Sequence, residues 1–358
     1  MAQSTDAAGY AHEPIKASIL LDLELGDNLR DTLNSTVPDT NKRTGVWIRG
    51  LDTRFRSVWP GGRVVGIGST DVDDPTSLHS EQSLLSLNLI SAALLSRPDL
   101  SQVLRAVVSS DSQLLGDLAS PTIYIIAPHT AQTIPLLHAN LARTLSDSAT
   151  AIELLKGVQL LQYFDFAGLV EAVAEISEAL YRRPQRPEKP DPNAMMTPSQ
   201  NQDIILLQGL GPTVTATYRR SGLVHANALL ASLMRSIVQV SRMPGNALVL
   251  VEFPVEIEGI VDVGSIQDPT RKSLHGIPLD SGFCGPRGES LSLMCGHETL
   301  ARTMDSGFDC TVIVHDGLGR IRNRSGHSKQ THYVIETVKD RLGGSTGLWA
   351  TWTTDGQT

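Results

Sequence analysis

An α/β architecture, a mostly parallel sheet with helices on both faces, follows from three observations. Five short, continuously apolar runs are separated by helical segments, as expected of strands buried on both sides. The intervening segments repeat apolar residues at three- and four-residue spacing. Only 4% of the chain is aromatic, with 41% hydrophobic residues overall, which suits helix-on-sheet packing better than an all-β sandwich.

Taken in order, residues 1–45 read as an irregular N-terminal extension and 46–355 as one core. Within that core the strand "RVVGIGS" precedes the leucine-rich helix "SLLSLNLISAALL", and "TIYIIAP" precedes "HTAQTIPLLHANLARTL". "GVQLLQYF" precedes a helix that Asp165 is placed to cap, with Leu169, Val170, Val173, Ile176 and Leu180 on its apolar face. "DIILLQGL" precedes "LVHANALLASLMRSIVQVSRM", and "ALVLVEFPVEI" closes the parallel set. Residues 182–202 are rich in proline and charge and read as a mobile loop insertion. Residues 260–300, dense in Gly, Pro and Ser, read as a long loop. Three further strands, "FDCTVIVHD", "THYVIETVKDR" and "GLWATWTTD", suit a C-terminal antiparallel meander on the sheet edge.

A net charge of -8 argues against a protein that coats nucleic acid over its whole surface and leaves local basic patches open. Three cysteines, Cys284, Cys295 and Cys310, make a disulfide framework improbable and point to a reducing compartment. The N-terminus shows no secretory pattern, and no stretch reads as a membrane span, so a soluble intracellular protein is expected.

Gly66, Gly68, Ser69 and Thr70 carry the end of the strand "RVVGIGS" into a Gly/Ser-rich stretch ahead of the helix, the layout of a nucleotide loop. A working loop of that kind needs a lysine to reach the phosphates. Here the chain continues as Asp71, Val72, Asp73 and Asp74, and no lysine occurs between Lys42 and Lys156. Carboxylates there repel a triphosphate.

The order of these elements resembles the core of the RecA-like recombinases, specifically the eukaryotic recombinase paralogues, over roughly residues 45–355. The resemblance rests on "LLKGVQLLQYFDFAGLVEAVAEISEAL", "DIILLQGLGPTVTATYRR", "HANALLASLMRSIVQVSRMPGNALVLVEF" and "HYVIETVKDRLGGSTGLWATWTTDG" taken in sequence. It implies a P-loop NTPase fold whose hydrolytic groups are replaced. Ala127, Pro128 and His129 stand where the water-orienting acid belongs, and Gln208 stands at the magnesium-linked aspartate of the Walker B strand. A pseudo-ATPase with no cofactor follows, with ATP binding left open.

The same resemblance implies DNA contact. It puts Arg219 and Arg220 in a first DNA-binding loop and Arg271 and Lys272 in a second. Arg320, Arg322, Arg324, His327 and Lys329 crowd one linker, where phosphate contact competes with a plain solvated turn. Arg182, Arg183 and Arg186 read as a helix C-terminus. Cys284, Cys295 and His297 lack paired zinc-ligand spacing, and Asp280, Ser281 and His275 lack a nucleophile elbow. The implied protein is a nuclear subunit of a homologous-recombination mediator of the Shu type, binding DNA and partner paralogues in a hetero-oligomer without a membrane. Two rival readings are an ATP-binding, DNA-dependent ATPase of the same family and a scaffold of an Elongator-type tRNA-modification complex.

Overall fold

The structure is a computed structural model; it describes residues 48, 51–69, 81–96, 123–128, 133–182, 202–258, 276–283, 290–315 and 332–353. All of them belong to one compact unit, Arg43–Thr358.

Ten strands are present among the described residues: β1 (Val64–Ser69), β2 (Ile123–Ala127), β3 (Val158–Gln162), β4 (Ile204–Leu207), β5 (Leu248–Glu258), β6 (Gly276–Leu279), β7 (Ser290–Met294), β8 (Cys310–His315), β9 (His332–Asp340) and β10 (Trp349–Thr353). The sheet runs β10-β9-β8-β1-β5-β4-β2-β3, parallel from β8 to β3 and antiparallel across β8, β9 and β10. The mostly parallel sheet and the C-terminal meander are as the sequence predicts. The first meander strand also joins the parallel set, because β8 pairs with β1. The end of β5 departs from the sheet and pairs antiparallel with β7, which pairs with β6.

Alternating strand residues feed two cores, the period-2 logic of a sheet covered on both sides. Ile204, Leu206, Leu248, Leu250, Val65 and Ile67 pack on one face with helices α1 (Glu81–Leu95), α2 (Thr133–Leu145) and α3 (Ser148–Leu155). Ile205, Leu207, Val249, Val251 and Phe253 pack on the other with α4 (Phe166–Arg182), α5 (Leu210–Ser221), α6 (Leu223–Ser241) and α7 (Glu298–Ser306).

Asp165 does cap α4: its carboxylate accepts from Gly168 N at 2.9 Å. Val170, assigned to the apolar face, is instead 42% exposed, and Ala172 is buried beside Val173. By length and composition α6 could cross a membrane, against the sequence reading that no stretch does. Its Ala226, Leu230, Leu233, Ile237 and Val240 lie in the core, so one face of it is covered within the fold.

Two loop readings are corrected. Residues 210–221 form α5, not a loop after the fourth strand. Of residues 260–300, which read as a long loop, 276–279 form β6, 290–294 form β7 and 298–300 begin α7. Pairing supplies what periodicity lacks there: β7 is held between β6 and the end of β5.

Candidate functional site

The carboxyl edge of a parallel sheet is where such folds place ligands, because strand ends and helix starts meet there. On the face covered by α1 and α2, that edge gathers Gln208, Glu252, Thr133 and Ser69. Gln208 follows β4 directly, and its backbone N–H extends the ladder to Ile126 O at 2.9 Å. Its carbonyl accepts from the Tyr163 hydroxyl at 2.7 Å. Its side chain is engaged at both ends, accepting from Thr133 Oγ1 at 3.2 Å and donating Nε2 to Glu252 Oε2 at 3.0 Å.

Glu252 is 6% exposed and lies opposite Ile67 of β1. It is the functional candidate that sequence reasoning missed. The signal was visible as a lone acid inside "ALVLVEF", since a buried carboxylate survives only when hydrogen-bonded. The Gln208 amide gives it a neutral donor. Gln208, Glu252 and Thr133 thus form a polar knot, with a neutral carboxamide at the end of β4. Ser69 Oγ, on the same face, is buried and has no hydrogen-bond partner.

Burial, ahead of the opposing contact from Thr213, pushes the Tyr163 hydroxyl up to about 12, so it stays protonated as a donor to Gln208. Gly209 then turns the chain into α5 at φ 74°, where a Cβ would sit 2.6 Å from Pro128 Cγ.

Gly66, Gly68 and Ser69 lie inside β1 rather than in a loop. The two glycines are packing seats: a Cβ on Gly66 would meet Phe308 at 2.6 Å, and one on Gly68 would meet Val255 at 2.5 Å. Phe253 and Phe308 stack at 5.6 Å in the space the missing side chains leave. Thr70, Asp71, Asp73, Asp74 and His129 lie outside the described residues, as do Arg183, Arg186, Arg271, Lys272, His275, Cys284, Arg320, Arg322, Arg324, His327 and Lys329.

Arg219 and Arg220 occupy the exposed last turn of α5, where cations complement the helix dipole, rather than a loop. Arg182 is tied to Glu178 within α4. His297 caps α7, its Nδ1 accepting from Thr299 N at 3.1 Å, and Cys295 is buried. No group of three or more His, Cys, Asp or Glu able to hold a metal occurs among the described residues.

Ser281 belongs to a different assembly. Its hydroxyl donates to Glu336 Oε2 at 2.5 Å, the oxygen that also meets His315 Nε2 at 2.9 Å. Gly282 N donates to Glu336 Oε1 at 2.6 Å, and the Phe283 ring lies 5.4 Å from His315 and 5.3 Å from Trp349. The carboxylate stands between serine and histidine, so the histidine cannot take the serine proton, and the cluster works as a clasp. It fastens the segment after β6 to β8 and β9.

No protein-family model matches the chain, and no curated protein sequence matches it. Among solved structures, the crystal structure of the RadB recombinase is similar over 81% of this chain and 86% of its own length, at 13% identity and a TM-score of 0.42.

Proposed function

We propose that this protein is a RecA-like recombinase paralogue without ATP hydrolysis, acting in homologous-recombination DNA repair as a DNA-binding or scaffold subunit of a mediator complex. One observation carries the reading. At the carboxyl edge of β4, a neutral Gln208 amide is bound between Thr133 and Glu252, and it offers no charge for a magnesium-linked phosphate. The end of β2 adds Ala127 and Pro128, neither able to orient an attacking water. DNA contact falls to Arg220 and to the basic residues of 271–272 and 320–329. The partners are recombinase paralogues in a nuclear hetero-oligomer, and the work is binding.

A second reading, an ATP-using member of the same family, draws on Glu252, a buried carboxylate one strand away from Gln208. Phosphate release from ATP, measured with and without single-stranded DNA, separates the two. The first reading expects wild type and Glu252→Gln to be equally silent, with recombination proteins copurifying. Release that is abolished by Glu252→Gln establishes the second. Copurification of tRNA-modifying proteins instead would place the chain in another pathway.

A further inference from the structure

A cleft of about 310 Å³ opens between α5 and the turn joining β7 to α7. One wall is a single helical stripe, Pro212, Thr215, Ala216 and Arg219, at spacings of three and four residues. Pro254 and Met294 form the other. The walls are fixed close together: a Cβ on Gly211 would lie 2.8 Å from Pro254 Cδ, and Gly296, at φ 75°, abuts Thr215.

The lining is poor in polar groups. Thr215 returns its hydroxyl to the Gly211 carbonyl at 2.9 Å, and Cys295 is buried behind the surface. Pro212, Ala216 and Pro254 are exposed, which leaves an apolar floor open to water. Arg219 is the one charged lining residue; it is exposed and has no ion-pair partner among the described residues.

An apolar floor ending in an exposed guanidinium with no ion-pair partner among the described residues is complementary to an apolar side chain followed by a carboxylate. Nucleic acid fits it less well. Backbone binding draws on several cations, and base stacking needs an aromatic face. The neighbouring Tyr218 ring is instead turned edge-on to His297 at 5.8 Å.

We propose that this cleft docks an acidic, apolar segment of a partner protein, with Arg219 receiving its carboxylate. Arg219 thereby acts in protein recognition rather than in the DNA contact the sequence suggests, and the site does not depend on whether the chain binds DNA.

The test is fluorescence anisotropy on the full chain with fluorescein-labelled 12-residue peptides built from Leu, Phe, Met, Asp and Glu. Matched peptides carry Asn and Gln in place of the acids. Acidic peptides are expected to bind about tenfold more tightly than neutral ones, equivalent to about 1.4 kcal/mol. Arg219→Glu and the cleft-filling Ala216→Trp should each weaken binding by at least about tenfold, with thermal midpoints unchanged, while Arg143→Glu on the opposite face of the sheet leaves it intact. No peptide binding, equal binding of acidic and neutral peptides, or an Arg219→Glu variant that binds normally would overturn the proposal. So would displacement of the peptide by oligothymidylate whose own affinity falls in Arg219→Glu, which would make the cleft a nucleic-acid site.

Discussion

At Gly66 a single added methyl group would have to share space with the Phe308 ring 2.6 Å away. Overpacking of that kind costs about 1–3 kcal/mol, so Gly66→Ala should lower the unfolding free energy by that amount, read as a lower urea midpoint at an unchanged slope. An unchanged midpoint would mean that the strand can move aside. Glu336 is held from three directions, by Ser281, Gly282 and His315, at side-chain exposures of 4% for both members of the His–Glu pair. Leaving a buried donor unpaired costs about 1–3 kcal/mol, so Glu336→Ala, which strands the donors of Ser281 and Gly282, should lose at least that in urea titration and speed amide exchange at 281–283. The thiols of Cys295 and Cys310 are both pushed up to about 12, in each case chiefly by burial. A thiol in the unfolded chain ionises near its ordinary value of 9.0, so the folded chain holds these protons more tightly. Their contribution to stability is therefore whole below about pH 9 and falls as pH rises toward about 12. Urea midpoints at about pH 8 and about pH 10.5 should show the decline, and neither thiol should react with a disulfide reagent in the native protein at about pH 8.

At the scale of elements, α5 stands where the resemblance implies a loop. Gly209, Gly211, Pro212 and three threonines are weak helix formers. Yet Pro212 sits in the first helical turn, where its missing N–H is not needed. Thr213, Thr215 and Thr217 each return a hydroxyl to the carbonyl four residues back at 2.9 Å, which absorbs their usual competition with the helix. Gly222, at φ 80°, separates α5 from α6. By contrast α4 and α6 were legible from spacing, because a helix packed on a sheet must show one apolar face. In α6, Leu230 is fully buried; Leu230→Ala should cost about 2–5 kcal/mol in denaturant titration, the range for a cavity in a core that relaxes only partly. A loss under about 1 kcal/mol would place that face against solvent or a partner instead of the sheet.

For the whole molecule, the order of strands brings together residues far apart in sequence: Ser69, Thr133, Gln208 and Glu252 meet at one edge because β1, β5, β4 and β2 are neighbours. The resemblance marks Gln208 at the end of its apolar strand, but nothing local marks its bond to Glu252. The β5 acid is separated from it by two helices, α5 and α6, and only pairing of β4 with β5 makes the two adjacent. The glycines of β1 were read as a loop for the same reason: their neighbours Phe253 and Phe308 come from remote segments. Strand and helix alternation, and with it the parallel sheet and its meander, was written in local hydrophobic periodicity, because burial on one face or two leaves a repeat in the residues themselves. Which acid stands beside which amide, which arginine lines a cleft, and which serine is clasped by Glu336 were decided by tertiary packing, because contact between distant segments leaves no periodic trace in the chain.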